Sequence, residues 1–122
     1  MAKLKSTIDT GIFKAIQKAA AEILVAPVGD EYMKEVNKSY ERRQKIMVEG
    51  LADLGWDFSK INVPRATFYL WIPIPPRYNT SVEFANDLLA TSGVVIVPGS
   101  AFGKYGEGWV RISVTASKEN II

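Results

Sequence analysis

The sequence predicts an α+β fold, a small antiparallel or mixed sheet covered by helices. Two stretches, 12–24 and 33–54, carry apolar residues at helical spacing. Three others, 66–72, 94–97 and 109–115, read as strands. The order is helix, helix, strand, helix, strand, strand, which suits helices layered on a sheet.

The first helix opens at Ser6-Thr7-Ile8-Asp9, which has capping-box spacing. Ile12, Phe13, Ile16, Ala19, Ala20, Ile23 and Leu24 follow at intervals of three and four. Pro27 and Gly29 are expected to end it, because proline removes a backbone donor. Asp30 is expected to cap a long second helix through Met33, Val36, Tyr40, Met47, Leu51 and Leu54, closed by Gly55. Its other face, with Glu31, Lys34, Lys38, Glu41, Arg42, Lys45 and Glu49, reads as solvated charge.

Ala66 to Ile72 predicts a strand, and Pro73, Pro75 and Pro76 mark its end or an edge. Tyr69 and Trp71 share one face of it and are expected in the core. Thr80-Ser81-Val82-Glu83 is a second capping box, heading a helix that turns Val82, Ala85, Leu88 and Leu89 inward. Gly93 stops it. Val94-Val95-Ile96-Val97 then reads as a buried strand. The last strand alternates: Val110, Ile112 and Val114 point one way, and Trp109, Arg111, Ser113 and Thr115 the other.

Composition narrows the chemistry. The 122 residues predict one domain, which buries roughly two-thirds of the surface its unfolded chain exposes. Fifteen basic against thirteen acidic residues leave a net charge of +2, and no basic cluster with interleaved aromatics argues for nucleic acid. No apolar run approaches the ~20 residues of a membrane span, and Met1-Ala2-Lys3-Leu4-Lys5 leads into no secretory core, so a cytoplasmic location is expected. The Asn-x-Ser sequons at Asn37 and Asn79 therefore carry no weight. With no Cys and no His, disulfides, thiol nucleophiles, His-based triads and the commonest metal ligands are excluded.

Arg111 is the leading candidate for a binding residue. It stands on the polar face of the last strand, beside the glycine-rich connection from Pro98 to Gly108. A rigid strand presenting a planar fork of donors suits a carboxylate. The same position also suits a solvated arginine or a surface ion pair. Gly99-Ser100-Ala101-Phe102-Gly103-Lys104-Tyr105 is not a nucleotide P-loop, because its glycines are one residue too close and Tyr105 replaces the Ser or Thr that binds magnesium.

The run Val-Val-Ile-Val-Pro-Gly-Ser-Ala-Phe-Gly-Lys-Tyr-Gly-Glu-Gly-Trp-Val-Arg-Ile-Ser-Val-Thr, residues 94–115, resembles the C-terminal signature of class I/II aminotransferases, pyridoxal-phosphate enzymes of fold type I. Pro98, Gly99, Phe102, Gly103, Gly108, Arg111 and Ser113 carry the match. Ala66-Thr67-Phe68-Tyr69-Leu70-Trp71 and Lys5-Ser6-Thr7-Ile8-Asp9-Thr10-Gly11-Ile12-Phe13 resemble other stretches of the family. The resemblance covers essentially the whole chain and is strongest to LL-diaminopimelate and aspartate aminotransferases.

The resemblance implies that Arg111 binds the α-carboxylate of an amino acid or 2-oxo acid, and that Phe102 lies on the loop leading to it. A phenylalanine in such a loop also suits a hydrophobic plug. By the same resemblance, residues 1–122 are a single domain, with 1–29 a helix leading in from a large domain and 30–122 the small domain. The Schiff-base lysine, the aspartate facing the pyridinium nitrogen and the phosphate cup would lie before Met1. Lys3 and Lys5 stand outside a Ser-Lys motif, so no catalytic residue is assigned and the chain alone is expected to be inactive. A homodimer and the large domain are the expected partners.

Two other readings stay open: a binding module that holds an amino or keto acid without chemistry, and an assembly element acting through the first helix. Both ends of the chain look cut, the last residues, Ala116 to Ile122, resembling the start of a helix.

Overall fold

The computed structural model describes Gly11 and residues 13–116. Lys3, Lys5, the capping box at Ser6–Asp9, Ile12 and the helix-like tail beyond Ala116 lie outside the described residues. The chain divides into two compact units, one ending at Ser39 and the other beginning at Tyr40.

In the first unit, helix α1 spans Lys14–Val25 and buries none of its residues. Phe13, Ile16, Ile23, Leu24 and Val25 are all exposed. Helix α2, Pro27–Asp53, follows after Ala26 alone. Pro27 thus begins the second helix, contrary to its expected place beyond the first. At the first helical position its missing N–H would have had no partner anyway, and its fixed φ already suits a helix. Gly29 stands within the first turn of α2, where a Cβ would lie 2.2 Å from the Ile23 carbonyl oxygen. That close approach requires glycine. Asp30, expected to cap this helix, lies instead inside its first turn because the helix already begins at Pro27; there its carboxylate complements the helix dipole.

In the second unit, Tyr40, Met47, Val48 and Leu51 of α2 face the core. Gly55 closes the helix at φ 103°, its N–H bonded to the Ala52 carbonyl at 2.9 Å. Strand β1 is Tyr69–Pro73, three residues later in starting than the pattern suggested. Thr67 at φ 75° breaks the pleat ahead of it. Helix α3, Ser81–Ser92, is bounded as predicted: the Thr80 side chain accepts from the Glu83 N–H, and Gly93 takes the left-handed conformation.

Strand β2 is only Val97–Pro98, and β3 is Trp109–Ser113. The reading of Val94–Val97 as a buried strand fails, since Val94 and Val95 are exposed and only Ile96 is buried. The sheet order is β1-β3-β2, antiparallel throughout. Leu70, Ile72, Val110 and Val114 are completely buried on one face, together with Leu51, Ile61, Phe84, Ala85 and Ile96. The Trp56 indole N–H reaches across to the Pro73 carbonyl at 2.9 Å.

Tyr69 and Trp71 are not in that core. They occupy the opposite face, and Trp71 is 37% exposed. The alternation correctly paired the two, but Leu70 and Ile72 won the interior because they are wholly apolar. No described helix is long and apolar enough to cross a membrane, and no described cluster of acids could hold a metal ion.

Candidate functional site

Register builds the site. Pairing of β1 with β3 sets Trp71 opposite Arg111, Tyr69 opposite Ser113 and Pro73 opposite Trp109. The face away from the core therefore carries Tyr69, Trp71, Trp109 and Arg111 together. The two indoles stack at 6.3 Å with 7° between their planes. Beside them the Arg111 guanidinium carbon stands 4.2 Å from the centroid of the Tyr69 ring and 4.8 Å from that of Phe102.

Two aromatic faces hold the cation through their quadrupoles, an attraction that uses no N–H group. Among the described residues, no carboxylate lies within ion-pairing distance of Arg111 and no side chain or carbonyl accepts a hydrogen bond from it. The guanidinium is half-buried, oriented and free to donate. An incoming carboxylate could accept two parallel bonds from it.

Phe102 ends a 3-10 turn, Gly99–Phe102, in the connection between β2 and β3. Its ring meets Trp71 edge-on at 5.7 Å and is 53% exposed. The two residues singled out from the sequence thus touch each other. Phe102 is no buried plug.

The loop is tied down at both ends. A Cβ on Gly99 would stand 2.0 Å from the Gly106 carbonyl oxygen, and one on Gly106 equally close to that of Gly99, so the two backbones meet directly. The Glu107 carboxylate accepts from the Ser81 N–H at 2.6 Å and the Gly108 N–H at 2.8 Å. These bonds, that from Ser81 foremost, hold its carboxyl below the ordinary glutamate value of 4.5. Ser81 is fully buried, and its hydroxyl meets the Ser100 hydroxyl at 3.2 Å. Sequence reasoning missed Glu107 and Ser81 as partners. They are 26 residues apart, and no local pattern joins them.

A cavity of about 720 Å³ opens elsewhere in this unit, lined by Leu51, Trp56, Ile61, Ile72, Phe84 and Leu88 among others. It lies on the core side of the sheet, since Ile72 and Ile112 line it, and Arg111 does not reach it.

The site is thus a half-buried guanidinium framed by two aromatic rings on a three-stranded antiparallel sheet. Residues 1–121 match the family of class I and II aminotransferases, and the chain belongs to that family. It is 46% identical over 121 residues to LL-diaminopimelate aminotransferase of Moorella thermoacetica, covering 99% of this chain and 30% of that protein. A second LL-diaminopimelate aminotransferase, from Gloeobacter violaceus, is 40% identical over the same shares. Among solved structures it resembles BacF of Bacillus subtilis, with TM-score 0.82 and 30% identity over 98% of this chain and 30% of that one. The aromatic aminotransferase of Pyrococcus horikoshii superposes with TM-score 0.79 at 37% identity, over 87% of this chain and 28% of that one. The chain thus spans about 30% of the length of the curated relatives it matches.

Enzymes of this family use pyridoxal phosphate. The described residues do not fit as its anchor. Every described lysine is exposed, whereas a Schiff-base lysine needs a desolvated site. The loop that might have cradled phosphate is closed by its own Gly99–Gly106 contact.

Proposed function

We propose that this chain contributes the substrate-carboxylate site of a pyridoxal-phosphate-dependent aminotransferase, which moves an amino group between an amino acid and a 2-oxo acid. Arg111 grips the α-carboxylate, and Phe102 bounds the site. The observation that carries this reading is the Arg111 guanidinium, pinned by Tyr69 and Phe102 while all its donors stay unclaimed among the described residues.

Such a grip acts by orientation. Two parallel hydrogen bonds fix both the position and the rotation of the substrate's α-carbon, so that its reaction becomes effectively unimolecular. Lysine, a point charge, would fix position only. The names of the relatives make LL-diaminopimelate the first amino donor to try. In this reading the cofactor and its lysine are held by other parts of the enzyme, the chain alone is inactive, and the whole works as a cytoplasmic homodimer. The exposed apolar side chains of α1 favour a covering partner of that kind.

The test is steady-state kinetics of the enzyme that carries this segment, with LL-diaminopimelate, aspartate or glutamate as donor and 2-oxoglutarate as acceptor. Losing one partner of a desolvated charge pair costs ~2–5 kcal/mol. Arg111→Ala should therefore lower kcat/KM by roughly thirty- to several-thousand-fold at ~1.4 kcal/mol per tenfold, and Arg111→Lys should recover only part. Unchanged kcat/KM in Arg111→Ala overturns the reading. A stoichiometric borohydride-stable adduct of pyridoxal phosphate with the isolated chain overturns the placement of the cofactor.

A further inference from the structure

Phe102 touches Arg111, yet it sits on a loop that is exposed from Ala101 through Tyr105. Within the tip the Gly103 N–H bonds to the Ser100 carbonyl at 3.1 Å and the Gly106 N–H to the Gly103 carbonyl at 3.0 Å, and the Phe102 ring meets Trp71. Both arms of the loop also converge on one residue, Ser81, at the start of α3. Ser100 on the entering arm donates its N–H to the Ser81 hydroxyl at 3.4 Å and meets it again through its own hydroxyl at 3.2 Å. Glu107 on the leaving arm takes the Ser81 N–H at 2.6 Å and, with the same oxygen, the Gly108 N–H at 2.8 Å. Gly108 at φ 82° leads straight into β3 and Arg111.

We infer that Glu107 is a positioning residue for the carboxylate site: by clamping the loop to the start of α3, it lays Phe102 against the Arg111 guanidinium and so sets the direction of its donors. The inference rests on the reading of Arg111 above. Three other bonds close the start of α3 without the loop. Thr80 takes the Glu83 N–H, the Thr80 carbonyl takes the Phe84 N–H, and the Glu83 carboxylate takes the Asn79 N–H. Glu107 couples that turn to the segment entering β3. A carboxylate suits the task, because the helix N-terminus offers both an unpaired N–H and a positive field.

Four variants of the enzyme that carries this segment decide the matter: Glu107→Ala, Glu107→Gln, Arg111→Ala, and Leu51→Ala as a core-loosening control outside the loop. A misplacement on the order of 1 Å costs up to about a hundredfold. Glu107→Ala should therefore lower kcat/KM by as much as that, chiefly through KM for the amino acid. Glu107→Gln, whose amide oxygen accepts the same two N–H groups, should keep most of the activity. Leu51→Ala should leave KM unchanged at a comparable loss of thermal stability. Independently of activity, the near-ultraviolet circular dichroism of the stacked Trp71–Trp109 pair should weaken in Glu107→Ala, because the Phe102 edge leaves Trp71.

If Arg111→Ala keeps its KM, the carboxylate reading falls, and the tryptophan signal still reports whether Glu107 orders the loop. If Arg111→Ala loses substrate while Glu107→Ala keeps both KM and signal, only the positioning role is overturned. A KM change that merely follows stability, as judged by Leu51→Ala, overturns it as well.

Discussion

Arg111 and Tyr69 are diagonal neighbours across the β1–β3 pair, and the guanidinium carbon of one lies 4.2 Å from the ring centroid of the other. Diagonal positions on one face are within reach of long and aromatic side chains. Trp71, directly opposite Arg111, instead stacks on Trp109, which leaves the arginine to lean toward Tyr69 and the loop. The aromatic face thus orients a cation without neutralising it.

That lean predicts a graded effect at Tyr69. A partly exposed cation–π contact is worth about 0.5–1 kcal/mol, or roughly two- to fivefold in affinity. Tyr69→Leu should weaken inhibition by a simple carboxylate by about that factor, whereas Tyr69→Phe, which keeps the ring face, should match the parent. Equal inhibition constants for the parent and Tyr69→Leu would show that the ring does not hold Arg111.

Acid should loosen the loop. The bonds from the Ser81 and Gly108 N–H groups favour the ionised carboxyl, so the folded state of Glu107 titrates below the ordinary 4.5. A carboxyl depressed by folding adds stability above its unfolded value and loses it as pH falls through the lower folded one. The melting-temperature difference between the parent and Glu107→Gln should be constant from neutral pH down to about 4.5, then shrink on further acidification. A difference that keeps its size throughout that acid range rules out the linkage.

Gly106 should tolerate no side chain. A methyl group there would stand 2.0 Å from the Gly99 carbonyl oxygen, and backbone atoms on both sides must shift to admit it. Overpacking of this kind costs about 1–3 kcal/mol. Gly106→Ala should lower the urea midpoint accordingly, while Gly50→Ala, at a helical site with no neighbour within 4 Å, should not. A Gly106→Ala midpoint equal to the parent's would mean that the two turns are not held together by this approach.

The chain wrote some of its structure locally. Thr80 and Gly93 bound α3 in the sequence and in three dimensions, because a cap is a bond between residues a turn apart. The alternation of β3 was equally legible, as was the resemblance that drew attention to Arg111 and Phe102. Pro27 was misplaced because proline ends a helix and begins one by the same missing donor. Val94 and Val95 were misplaced because four consecutive apolar residues suit a strand wherever a partner exists, and of that stretch only Val97, with Pro98 after it, pairs with β3.

Order along the chain was therefore enough for the element types, the α3 caps and the shared face of Trp109 and Arg111. It also removed histidine and cysteine chemistry outright. Which face of the sheet turned inward was a tertiary matter, since a period of two says which residues share a side and is silent on what covers it. The union of Ser81 with Glu107, and of Arg111 with Tyr69, came only with folding. Hydrogen bonds and ring contacts depend on distance in space, and neither pair is close along the chain.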